Sequence, residues 1–154
     1  MRVGLMILAT IGTFGASAAP ALAVPGAHPA AAAGCNIALT ARPDADSFTA
    51  ANRANGAALT QATGAAFTAA ATHLCAAGIV RPAHVARYRS LMVRDAEGAT
   101  DPNVYDDAEE HPGVLIIEFA FAAGGPPTQA QIEAALRCWR NPHGAGCTHE
   151  DVGP

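Results

Sequence analysis

The sequence predicts a small two-layer α+β sandwich held by disulfides, and three observations carry that prediction. One run, Val114 to Phe121 (VLIIEFAF), is dense in β-branched and aromatic residues over eight positions, with Pro112-Gly113 before it and Gly124-Gly125-Pro126 after it. Two other stretches, Leu59 to Leu74 and Ile132 to Trp139, repeat their apolar residues at helical spacing. Four cysteines, Cys35, Cys75, Cys138 and Cys147, form an even set with none left over.

The N-terminus reads MRVGLMILATIGTFGASAAPALA, with Arg2, an apolar core from Val3 to Phe14 and small residues at Ala21-Leu22-Ala23. That is the pattern of a secretory signal peptide over residues 1–23, too short in its apolar part to span a bilayer permanently. The Ala32-Ala33-Gly34-Cys35 string loosely resembles a lipidation signal, but Pro25, His28 and Pro29 separate it from the apolar region that such a signal needs. Residues 24–34 (VPGAHPAAAAG) have no apolar period and read as a flexible leader. A single globular domain is expected over 35–148, with 149–154 as a tail.

Within the domain, Asn36 to Ala41 (NIALTA) alternates as a strand does and is expected to end at Arg42-Pro43-Asp44. Asp46 or Ser47 then offers a side-chain oxygen to cap a helical region. Leu59, Thr63, Ala66, Phe67, Ala70 and Leu74 make its buried stripe. Gly56 marks a break between a short first helix and a main one, and Gly78 ends the main one with Ile79 folding back. Val85 to Asp95 (VARYRSLMVRD) reads as a second strand, and Val114 to Phe121 as a central strand buried on both faces. The last helix starts from a capping box of Thr128 and Gln131 and buries Ile132, Ala135, Leu136 and Trp139 before Asn141-Pro142 stops it. The order strand, helix, strand, strand, helix suits a ferredoxin-like sandwich or a truncated β-α-β-β-α variant of it.

That order also favours one of the three formal connectivities, Cys35 with Cys75 and Cys138 with Cys147, over the crossed pairing of Cys35 with Cys138 and Cys75 with Cys147. Cys75, near the end of the main helix, returns to the side where Cys35 begins the first strand, and Cys147 lies a short step beyond Cys138. Export would place all four in an oxidising compartment, periplasmic or extracellular.

Composition narrows function by exclusion. All nine basic residues are arginine, and 13 acidic residues outnumber them for a net charge of -4. Nucleic acid and anionic membrane surfaces need a positive footprint, so neither is the expected partner. The two serines beyond the signal peptide, Ser47 and Ser90, lie in no G-x-S-x-G elbow, and no phosphate loop or haem-attachment motif occurs, so no cofactor is implied.

Two clusters invite a metal. The segment Asp95 to Pro112 holds Asp95, Glu97, Asp101, Asp106, Asp107, Glu109 and Glu110 without an arginine, yet the EF-hand spacing from Asp101 fails at its sixth and twelfth positions. A solvated connection between strands is the simpler reading, docking to a basic partner the other. His143 and His149 bracket Cys147, with Glu150 and Asp151 behind, but a disulfide removes the thiolate. Asp101, Asp106, Asp107, Glu109, His143 and His149 are therefore the candidate ligands of a metal-binding alternative. A small periplasmic hydrolase is the further one. The leading expectation is a secreted, disulfide-stapled, non-catalytic interaction module for an unknown protein or small molecule. Its contact candidates are Trp139, Arg140 and His143 in the Cys138 to Cys147 stretch (CWRNPHGAGC).

Overall fold

A computed structural model describes residues 34–121 and 125–147 of the chain. The signal peptide expected over 1–23, the leader up to residue 33, His149 and the tail 149–154 lie outside the described residues.

The chain runs β1 (Thr40–Pro43), α1 (Ala50–Arg53), α2 (Gly56–Ala76), α3 (Pro82–Val85), β2 (Ser90–Asp95), β3 (Asn103–Asp106), β4 (Val114–Phe119) and α4 (Gln129–Arg140). The four strands form one sheet in the order β1-β2-β4-β3. β1, β2 and β4 run parallel, and β3 returns antiparallel along β4. The fold is thus mixed α+β, but its wiring is not ferredoxin-like, because a split βαβ unit needs an antiparallel strand between two parallel ones. Here β1 and β2 are direct neighbours across the α2 crossover, with Ala41 opposite Leu91 and Pro43 opposite Val93.

Helices α2 and α4 pack on each other and on one face of the sheet. Strand alternation sends Leu91, Val93, Leu115 and Ile117 to that face, where Phe67, Leu74, Ile132 and Leu136 are fully buried above them. Burying a large apolar side chain contributes about 1.5–3 kcal/mol, so this layer is the main source of stability. β4 sits inside the sheet, and Leu115, Ile116 and Ile117 are all buried in succession, as a strand covered on both faces requires.

Boundaries differ from the sequence expectation at several places, and the run from Val114 forms strand only as far as Phe119. The first strand begins at Thr40 rather than Asn36 and continues through Arg42-Pro43. Proline is tolerated there because β1 is an edge strand, where a missing N–H costs no ladder bond. Ser47 does not cap a helix: its hydroxyl donates to the Asp44 carbonyl at 2.8 Å and accepts the Asp95 N–H at 2.9 Å. The stretch from Val85 divides, its start closing α3 and only Ser90–Asp95 forming strand. The acidic connection contains a strand of its own, β3, held by pairing Val104 with Ile117 and Tyr105 with Ile116. The helix break falls at Ala54-Asn55, just before Gly56. α2 ends in a Schellman motif, in which Gly78 at φ +74 lets its own N–H reach Cys75 O and the Ile79 N–H reach Leu74 O, both at 2.9 Å.

Two polar arrangements lock the sheet. On the face away from α2 and α4, Arg94 Nε donates to Asp44 Oδ2 at 2.9 Å and its Nη1 to Tyr105 Oη at 2.8 Å. Tyr105 O–H donates on to Glu118 Oε2 at 2.9 Å. Burial, with Glu118 beside it, pushes the Tyr105 hydroxyl up to about 12, so it stays a donor at any physiological pH. At the end of β2, the buried Asp95 carboxylate accepts from Thr49 N–H, Asn52 Nδ2 and Phe121 N–H at 3.1, 3.0 and 3.3 Å. Among the described residues no helix is long and apolar enough to cross a membrane.

Candidate functional site

Where the end of α4 meets α3, the chain gathers basic and aromatic side chains. Pro82 at the first position of α3 has its φ preset for a helix. One turn then turns Val85 into the core and leaves His84 at the surface. Arg81 precedes the turn, and Arg87 and Tyr88 follow it. From the other side, α4 brings Trp139 and Arg140 in its last turn. Cys138 is bonded to Cys147 across the loop that follows, as Cys35 is bonded to Cys75 beside the end of α2. Inside the closed loop the Gly144 N–H reaches Asn141 O at 2.8 Å and the Cys147 N–H reaches Gly144 O at 3.1 Å, so two successive turns shape the segment.

The side chains stack into a ladder. The Arg87 guanidinium lies 4.8 Å from the Tyr88 ring centre, Tyr88 lies 6.1 Å from Trp139 at a tilt of 57°, and the Arg140 guanidinium lies 5.3 Å from the Trp139 ring. Cation–π contacts of this kind contribute about 0.5–1 kcal/mol at exposed sites. Their larger effect is to hold long arginine side chains in one place. Tyr88 is buried, and burial raises its hydroxyl above its ordinary value, with Asp106 reinforcing the rise and Arg87 opposing it. Trp139 is half-buried on the apolar stripe of α4 and packs against the core. Two clefts flank Tyr88: one of about 180 Å³ bounded by Arg87, Asp106, His111 and Val114, and one of about 220 Å³ bounded by Ile37, Leu39, Pro82 and Val85.

His84 joins the two elements electrostatically. Its Nδ1 accepts the Arg81 backbone N–H at 3.1 Å, and its Nε2 faces Arg140 Nη2 at 3.3 Å. Burial and then the charges of Arg140, Arg81 and Arg87 hold the imidazole below its ordinary value. A chain with net charge -4 therefore carries a local concentration of cations at this corner.

The structure separates the sequence-derived candidates. Trp139 and Arg140 are brought into the ladder, and His143 is exposed on the stapled loop next to them in the chain. The candidate metal ligands do not converge. Asp106 pairs with Arg87 at 3.2 Å, Asp107 Oδ1 accepts the N–H groups of Glu109 and Glu110, and Asp101 and Glu109 are exposed. Among the described residues no group of three or more His, Cys, Asp or Glu side chains is placed to hold an ion. Ser47 is engaged by backbone groups, and Ser90 starts β2 at the strand end opposite Asp95.

Sequence reasoning missed Arg81, His84, Arg87 and Tyr88. The available signal was Arg87-Tyr88-Arg89, an aromatic between two cations. What gives it meaning is Trp139, which only the fold brings alongside. Comparison with protein-family models, with curated proteins and with solved structures returns no match to this chain.

Proposed function

We propose that this chain is an exported, non-catalytic binding module that engages its partner through the corner formed by α3, the end of α4 and the stapled loop. The observation that carries the reading is the Arg87-Tyr88-Trp139-Arg140 ladder. Trp, Tyr and Arg are the side chains that most often dominate binding energy at interfaces, and here all three types lie against one another. Rigidity favours affinity because little side-chain entropy remains to be lost on association. The capped helix behind the corner and the disulfide across its loop supply that rigidity. Two intramolecular disulfides accord with an oxidising location, which is where an exported chain would act.

A photo-crosslinking amino acid at the exposed Ala145, on the stapled loop, tests the reading in the producing cell. A discrete adduct should form from Ala145 and not from the equally exposed Ala58 on α2, and it should disappear when Arg140→Glu is added. Adducts of equal intensity from both positions, or none from Ala145, would overturn it. Intact-mass measurement of the same protein should place the mature N-terminus at Val24.

A further inference from the structure

We infer that the corner carries a specific oxyanion subsite, in which one oxygen of a carboxylate or phosphate bridges His84 Nε2–H and the Arg140 guanidinium. This rests on the reading of the corner as a binding surface and names the chemical group it takes.

A neutral imidazole has one N–H and one bare nitrogen, so it can accept only one hydrogen bond through its ring nitrogens. His84 faces a donor at each: the Arg81 backbone N–H at Nδ1, 3.1 Å, and Arg140 Nη2 at Nε2, 3.3 Å. One of the two contacts is therefore donor against donor. The Arg81 N–H is fixed by its extended backbone at φ -98, ψ 147, whereas the Arg140 guanidinium can swing its N–H bonds off the line to the ring nitrogen while it stays over Trp139. Nδ1 is thus the acceptor, and the proton sits on Nε2. Two N–H groups then converge from separate elements on a space that no acceptor in the described residues fills.

Electrostatics set the sign of the group that these donors would take. Arg140 approaches His84 from α4, and Arg81 and Arg87 flank it on either side of α3. Asp106 of β3 is paired with Arg87 at 3.2 Å, and Asp107 lines the same cleft beside Arg87 and Tyr88. Among the described residues neither Arg81 nor Arg140 has an ion-pair partner. An oxygen set to one side of the 3.3 Å line can lie within hydrogen-bond distance of both nitrogens, and a negative charge on it would offset the surplus. Trp139, under Arg140, holds that guanidinium in reach and offers an apolar wall to whatever bears the oxyanion.

The test uses the full mature protein labelled with nitrogen-15. Ring nitrogen shifts should first show His84 as the Nε2–H tautomer at pH 7.5. Titration with sodium acetate and with inorganic phosphate, at ionic strength held constant with chloride, should then give saturable shifts at His84 and Arg140. Apparent affinity should fall at least tenfold in Arg140→Gln and in His84→Phe, which keeps a ring but has no donor. Saturation by acetate alone would assign the site to carboxylates, and saturation by phosphate alone to phosphates. An Nδ1–H tautomer, equal shifts when chloride alone is raised in a control titration, or an unchanged response in Arg140→Gln would each overturn the inference. Crosslinking from Ala145 without anion saturation would leave the binding surface standing and remove the subsite, so the two failures are distinct.

Discussion

The Asp95 carboxylate ties the start of α1 to the two central strands, accepting from Thr49 and Asn52 on one side and Phe121 on the other. Read along the chain it is the first acid of a polar segment. In the fold it is 7% exposed and is the point to which Thr49, Asn52 and Phe121 are tied. Nothing local announces this, because its donors lie 46, 43 and 26 residues away. Burial alone would raise its carboxyl, but the bonds from Asn52, Thr49 and Phe121 outweigh burial and hold it below the ordinary 3.8. The unfolded chain therefore takes up a proton more readily than the folded one. Asp95 contributes its full stability above the unfolded value and loses it as pH falls through the lowered folded value. Asp95→Asn should cost about 3 kcal/mol at pH 7, since hydrogen bonds to a charged group are worth about 1.5–3 kcal/mol each and one oxygen must now serve the donors of two. Urea unfolding measures it, and the difference from the parent protein should shrink steadily as the titration is carried to acid pH.

Elements were legible in proportion to how much of their stability is local. α4 was visible to its first residue because Thr128 and Gln131 satisfy each other's backbone within four positions. α2 was visible as a stripe, and β4 as a run. β3 was not, because a four-residue edge strand with one buried side chain, Val104, is made by its neighbour β4 rather than by its own residues. The packing of α2 on β1 was equally hidden. There a Cβ built on Gly64 would meet the Ala41 Cβ at 2.6 Å, so helix and edge strand approach only because position 64 has no side chain. Gly64→Ala removes a helix-interior glycine, a gain of about 1 kcal/mol, but the overpacking penalty of about 1–3 kcal/mol must be subtracted. A net loss of up to about 2 kcal/mol is expected in thermal unfolding. A stabilised variant would show that β1 can yield.

For the molecule as a whole, element order identified two layers but not which strands are neighbours. Nothing in the spacing of β1, β2 and β4 says that all three run parallel, since the choice is made by long-range contacts among Leu91, Val93, Leu115 and Ile117. The candidate surface was illegible for the same reason, because half of it comes from residues 81–88 in the middle of the domain and half from Trp139 and Arg140 near its end. The disulfides bind the two ends of the domain into the layers. In the chain-entropy description, closing the 40-residue separation of Cys35 and Cys75 contributes about 4 kcal/mol. The separation of 9 between Cys138 and Cys147 contributes about 3 kcal/mol. Paired serine substitutions at each bridge, compared by chemical denaturation, should reproduce those losses in that order. The bridges also have a direction in time. Cys75 joins a cysteine already behind it, and Cys147 joins the one just before it, so a chain threaded from its N-terminus into an oxidising space finds each partner in order of arrival. Such a chain can oxidise by simple succession, with no wrong bridge to undo.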